Sequence, residues 1–345
     1  MRLAFLFLVL VAVGVVALAV IQPVIELTPV EAVREEVREV TTGDQIGTRI
    51  VGALARNDYD EALMYRDIAR DASLTLPPDA TDALERAGTF GATAARAGSQ
   101  VVVGFLTGEA ESLAGMTGAV VSDLTVVGDI RDIAQEGSKL VQNEPYNELV
   151  LGLSVIGVAA TGATIATGGA TLPGRVGVTI LKVASKANTL TVEFARTLTR
   201  LVGNAVELAD LKQLLRTTKI TDSAATRDAI AAYAKSLKGT ELVPVLARID
   251  DVQKNVGAVE TVRLMRYVKS TDDLDDIAEM SKSLGKNTRG VIEITGKTSL
   301  RAFKTSMNVF SWVIGHIFSF LAWVGTFFLS LLGAGRVFGA IRPKA

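Results

Sequence analysis

From Val309 to Gly335 the chain carries no formally charged side chain. Phe310, Trp312, Phe318, Phe320, Trp323, Phe327 and Phe328 stud this run. Arg301 and Lys304 stand before it, and Arg336, Arg342 and Lys344 follow. A helix rises ~1.5 Å per residue and a bilayer's hydrocarbon core is ~30 Å thick, so the run is long enough to cross with tilt. It predicts a C-terminal transmembrane helix over 308–335 and a basic tail over 336–345. Two further apolar blocks, Leu3–Ile21 and Leu149–Leu172, divide what remains. The 49% hydrophobic content is concentrated in these three places, which leaves ordinary globular stretches between them.

The first block follows Arg2 directly and addresses the N-terminus, residues 1–22, to the membrane. Two readings compete, an uncleaved signal anchor and a signal peptide cleaved after Ala17-Leu18-Ala19. The very short positive leader and long apolar stretch favour the anchor. The middle block, 149–172, lies between Pro145 and Pro173 and consists largely of Gly, Ala and Thr. Ala159 and Ala163, and Gly162 and Ala166, are four apart, a spacing that lets helices approach closely. Either a membrane span or a buried helix or hairpin accounts for it. With two spans, one at each end, the basic tail lies in the cytoplasm, and the body is expected on the periplasmic side of a bacterial inner membrane.

Cysteine is absent and His316 is the only histidine. Disulfide frameworks, thiolate nucleophiles and Cys-ligated metals are thereby excluded. His316 lies within the C-terminal apolar run, far in sequence from any partner for a Ser-His-Asp triad or an HExxH site. In a membrane helix, it is either a proton-relay group or a neutral imidazole bonded to a neighbour. The net charge of −1 conceals an asymmetry. Residues 23–148 hold 22 acidic and 10 basic side chains, a net of −12. Residues 173–307 hold 15 acidic and 22 basic, a net of +7. The halves either attract each other or face different environments.

Within the body the periodicity is helical and strand-like alternation is nearly absent, so the expected fold is all-α, a bundle or stacked helical hairpins. The acidic region 23–148 opens with a mixed-charge helix over Val30–Val40. Asp58 and Glu61 then approximate a cap before a face of Tyr59, Ala62, Leu63, Ala69 and Ala72, and Pro77-Pro78 closes that helix. The run Asn57–Leu63 resembles the first helix of a tetratricopeptide unit, in a single copy where an array needs at least three. In the basic region 173–307, Phe194, Leu198, Leu201, Ala205 and Leu208 form one apolar stripe. Leu242, Leu246, Ile249, Val252, Val256 and Val259 form another, and Ser270 with Asp273 makes a capping box.

The most individual stretch is Ser122–Asp132, where Asp123, Asp129, Arg131 and Asp132 crowd among valines. A carboxylate-dependent enzyme or metal site is one reading, but an oxygen-type metal needs about six ligands. Helix capping and a partly buried ion-pair network is the favoured one. The segment Val126-Val127-Gly128-Asp129-Ile130-Arg131-Asp132, with Tyr146-Asn147-Glu148-Leu149 and the Gly/Ala/Thr block, resembles an uncharacterised group of proteobacterial membrane proteins. That likeness implies membrane residence and no particular activity. The heptapeptide alone is also similar to the VGDxxD-type segment that precedes toxin domains in some secreted bacterial toxins.

Other patterns only imitate chemistry. Gly296-Lys297-Thr298 lacks the spaced glycine of a phosphate loop. Asp272, Asp273, Asp275 and Asp276 lack the central glycine of a calcium loop and suit a helix's first turn. The basic excess is scattered, without aromatic stacking residues, so no nucleic acid is expected. No cofactor is expected either. The function expected is that of a membrane-anchored, non-enzymatic helical protein that binds a partner or scaffolds an envelope assembly. Its partners are the lipid bilayer and another protein or a second copy of itself. A pore-forming, toxin-like protein is the alternative.

Overall fold

The computed structural model describes residues 28–89, 126–166, 175–237 and 241–340. Among the described residues the secondary structure is entirely helical, as the periodicity predicts. Fifteen α-helices follow in order: α1 (Pro29–Val40), α2 (Gly43–Ala55), α3 (Tyr59–Asp71), α4 (Pro78–Ala87), α5 (Val126–Gln142), α6 (Glu148–Ala166), α7 (Arg175–Lys186), α8 (Val192–Ala205), α9 (Leu208–Thr217), α10 (Ser223–Tyr233), α11 (Leu242–Val256), α12 (Ala258–Leu264), α13 (Thr271–Leu284), α14 (Asn287–Thr295) and α15 (Thr298–Ala340). They form two compact units, one of Val40–Gly296 and one of the described residues on either side of it.

Local chemistry sets several helix ends in the Val40–Gly296 unit. Thr42 and Gln45 exchange side-chain bonds with each other's backbone at the start of α2, a complete capping box. Asp58 caps α3 by accepting from the Glu61 N–H at 3.0 Å. That helix stops at Asp71, and Pro78 opens α4 at a position where a missing N–H costs nothing. The face that α3 buries is Ala62, Met64, Tyr65, Ile68, Ala69 and Ala72, while Tyr59 and Leu63 are only half-buried. Ser270 caps α13 as expected, accepting from the Asp273 N–H at 3.2 Å. Asp273 accepts in turn from the Lys269 N–H, one residue before the cap. Gly285 and Gly296 end α13 and α14 at φ +53° and +66°, the left-handed region that glycine enters without steric cost. The Gly296-Lys297 pair that imitates a phosphate loop is thus a helix stop.

The centre of this unit is α6, which packs against α5, α7, α8 and α10. Leu149, Val150, Leu151, Leu153, Val155 and Val158 are all buried, so this stretch is covered on every side. A helix apolar around its whole circumference has to lie inside something, and here amphipathic helices surround it. Leu211, Leu215 and Ile230, from α9 and α10, complete the same core beside Ile130 and Ile133 of α5. The two stripes read from the sequence, Phe194–Ala205 and Leu242–Val256, face inward as predicted, with Leu208 and Val259 only half-buried.

Among the described residues no helix is long and apolar enough to cross a membrane. The terminal spans expected from the sequence are therefore not found there. Part of the 149–172 block forms α6, enclosed by other helices, and 167–172 lie outside the described residues. The 1–22 segment lies outside them entirely. In the unit of the two ends, α1 carries Arg34 and Arg38 paired with Glu31 at 3.0 and 2.8 Å. The last helix, α15, runs unbroken for 43 residues, ~64 Å at helical rise. Its first turns bury Ser299, Leu300 and Phe303. Beyond them Trp312, Phe318, Phe320 and Trp323 are each more than half exposed.

Candidate functional site

Asp129, Asp132 and Glu136 are three and four residues apart on α5, so they share one face of that helix. Lys182 and Lys186, four apart on α7, meet them. Lys182 Nζ lies 2.6 Å from Asp129 Oδ1 and 2.8 Å from Asp132 Oδ2. Lys186 Nζ lies 2.9 Å from both Asp132 oxygens. From α6, Ser154 donates to Asp132 Oδ2 at 3.5 Å. Also from α6, Gly157 admits the Asp129 carboxylate, since a methyl group there would stand 2.5 Å from its Oδ2. The Lys182 side chain is wholly buried, and those of Asp129 and Asp132 are 5% and 3% exposed.

The two aspartates respond to this setting in opposite directions. Burial pushes Asp129 up to about 6, against the pull of Lys182 and Arg175. Burial acts on Asp132 too, but Lys182 and Lys186 together overrule it and hold its carboxyl below the ordinary range. Farther along α5, Glu136 accepts from Lys139 at 2.8 Å and from the Asn147 N–H at 2.7 Å. Glu136 also reaches an open surface groove of about 810 Å³ lined by Tyr146, Asn147, Ser185, Leu190 and Val192. A polar track thus runs from the helical core to the surface between α5 and α7.

A second network, which sequence reasoning missed, joins α3 to α12 and α14. Arg263 Nη2 bonds Asp58 Oδ2 at 2.7 Å and its Nη1 bonds Glu260 at 3.1 Å. Arg289 is 5% exposed and contacts Glu260, Glu61 at 3.4 Å and Glu293 at 2.9 Å. Burial alone would lower the Arg289 pKa, but Glu260 and Glu61 raise it well above normal. Burial raises Glu61. Burial also works upward on Asp58, yet Arg263 brings it below its usual value. The spacings Glu260–Arg263 and Arg289–Glu293 signal pairs on one helix face, but nothing local signals Glu61 and Asp58, some two hundred positions earlier.

Of the residues singled out in the sequence, Asp129 and Asp132 come together. Asp123 lies outside the described residues. Arg131 is exposed, and its Nη2 lies 3.6 Å from Asp132 Oδ1. His316 Nδ1 is 2.7 Å from the Trp312 carbonyl oxygen one turn back, an intrahelical contact on an exposed surface. Ala159 is half-buried on α6. Gly162, Ala163 and Ala166 continue that helix, but their side-chain surroundings lie outside the described residues. Among the described residues of α6, close approaches occur at Gly152 and Gly157, against Val202 and Asp129.

Chemically, the Asp129–Lys182–Asp132–Lys186 cluster is an ion-pair lock, with Asp129 Oδ1 and both Asp132 oxygens held by ammonium or hydroxyl groups. Among the described residues no three His, Cys, Asp or Glu side chains are grouped to hold a metal ion. Compared with known proteins, the chain matches no family model, no curated protein and no solved structure.

Proposed function

We propose that this protein is a non-enzymatic helical scaffold, held at a lipid bilayer by its last helix, whose body offers a surface to a protein partner. The observation that carries the reading is the exposure of Trp312, Phe318, Phe320 and Trp323 on α15. Large exposed aromatic surface is unfavourable in water, and four such groups on one helix call for lipid or protein to cover them. The apolar run that continues to Gly335 favours lipid. A binding rather than chemical role for the body is supported by the closure of Asp129 and Asp132 on Lys182. The partner's surface is placed at the groove between the α6 N-terminus and α8, where Val192 is exposed. The body is assigned to the periplasmic side of a bacterial inner membrane.

The chain contains only two tryptophans, Trp312 and Trp323, so its tryptophan emission reports on α15 alone. Reconstituted with vesicles whose acyl chains are brominated, the full chain is expected to lose most of that emission. Undiminished fluorescence at saturating lipid would remove the bilayer from the proposal.

A further inference from the structure

From Lys297 to the C-terminus there are six basic side chains, Lys297, Arg301, Lys304, Arg336, Arg342 and Lys344, and no acidic one. On α15 itself the cations are confined to the two ends of the aromatic run. Arg301 and Lys304, three residues apart, are both exposed and project from neighbouring positions on the helix surface. Trp312 follows Lys304 by eight residues, ~12 Å along the axis. Arg336 follows it by 32 residues, ~48 Å. The headgroup-to-headgroup thickness of a bilayer is ~40–45 Å. A helix that enters the bilayer with Lys304 in the headgroup layer carries the run that follows it into the lipid. The aromatic groups from Trp312 onward then fall within the hydrocarbon and its boundary.

We infer that Arg301 and Lys304 form a headgroup-binding collar that selects anionic phospholipid around the last helix. The selection follows from chemistry on one short stretch. A guanidinium pairs with phosphate oxygens in a planar, two-pronged fashion, and an ammonium adds a point charge three residues on. α15 carries no carboxylate, so the charge that the helix itself brings to a headgroup layer is wholly positive. Both side chains are long enough to lay their methylenes along apolar surface while the charge stays in the headgroup layer. Each basic group near an anionic surface favours that lipid about fivefold. This inference rests on the bilayer reading and goes past it by naming the lipid class.

The test uses full-length protein in mixed vesicles of phosphatidylcholine and phosphatidylglycerol, with bromine on the acyl chains of one lipid or the other. A Trp323→Phe background leaves Trp312, nearest the collar, as the reporter. Brominated phosphatidylglycerol is expected to quench Trp312 more than brominated phosphatidylcholine at equal mole fraction, as if locally enriched several-fold. Arg301→Gln with Lys304→Gln is expected to bring the two quenching curves together while helical content is unchanged. Equal quenching by both lipids in the parent protein overturns the collar and leaves the bilayer anchor standing. A preference that survives the double substitution overturns its assignment to Arg301 and Lys304. Absence of quenching by either lipid defeats the anchor itself, and the collar with it.

Discussion

Asp129 and Asp132 sit three residues apart against the same lysine, yet only Asp132 has a second lysine in contact, Lys186 at 2.9 Å. Lys186 makes the difference, and it gives the two groups opposite pH signatures. Asp129 titrates at about 6 when folded and near its ordinary 3.8 when unfolded. Between those values the folded chain binds the proton more readily, so stability rises as pH falls from 7 toward 4. A shift of this size corresponds to roughly 3 kcal/mol. Asp132, held below its ordinary value, works the other way and withdraws its contribution only at still lower pH. Urea unfolding of the parent protein between pH 7.5 and 4.5 is expected to show the rise, and Asp129→Asn to flatten it. A parent stability that falls steadily across that window contradicts this assignment. The spacing of the two aspartates made them legible in sequence as an ion-pair network. Lys182 was not, because no local rule links α5 to a lysine some fifty residues on; only the packing of α5 and α7 on their shared neighbour α6 does.

At the scale of the helix, α6 shows why an apolar, small-residue run reads two ways. The glycines that let a membrane helix approach its neighbours serve the same purpose inside a bundle, so composition left both open. Periodicity was more decisive elsewhere: the inward stripes of α8 and α11 and the caps of α3 and α13 follow from side chains a few positions apart. Gly157 is the sharpest case of close approach. Alanine would gain about 1 kcal/mol in helix propensity but would place a methyl group 2.5 Å from the Asp129 carboxylate. Overpacking costs ~1–3 kcal/mol, and displacing a buried carboxylate from its lysine adds to that. Gly157→Ala is therefore expected to destabilise the body by about 2–3 kcal/mol in urea titration. A more stable variant would mean that Asp129 can step aside without loss.

For the chain as a whole, the acidic and basic halves answer each other within the Val40–Gly296 unit. Asp58 and Glu61 meet Arg263 and Arg289, Arg49 meets Glu293 at 3.4 Å, and Asp129 and Asp132 meet Lys182 and Lys186. That the halves complement each other could be read from charge counts, whereas the pairing could not, since it depends on which helices the core brings side by side. The Arg289 network is one of the places where this complementarity is buried, with Arg289 5% and Glu61 9% exposed, so its loss is expected to be felt in stability. Arg289→Met keeps much of the side chain's volume but leaves Glu61, Glu260 and Glu293 without their shared cation. Removing one member of a buried pair costs ~3–5 kcal/mol, far more than the ~0–1 kcal/mol of an exposed pair. Arg34→Met on α1, whose partner Glu31 is a third exposed, supplies that low reference. Hydrogen exchange on Arg289→Met is expected to lose protection first across α3 and α14, which Arg289 and its partners join, and later in α6. Uniform loss across all helices would show that α3 and α14 unfold only with the core, and that the two charged halves behave as a single cooperative body.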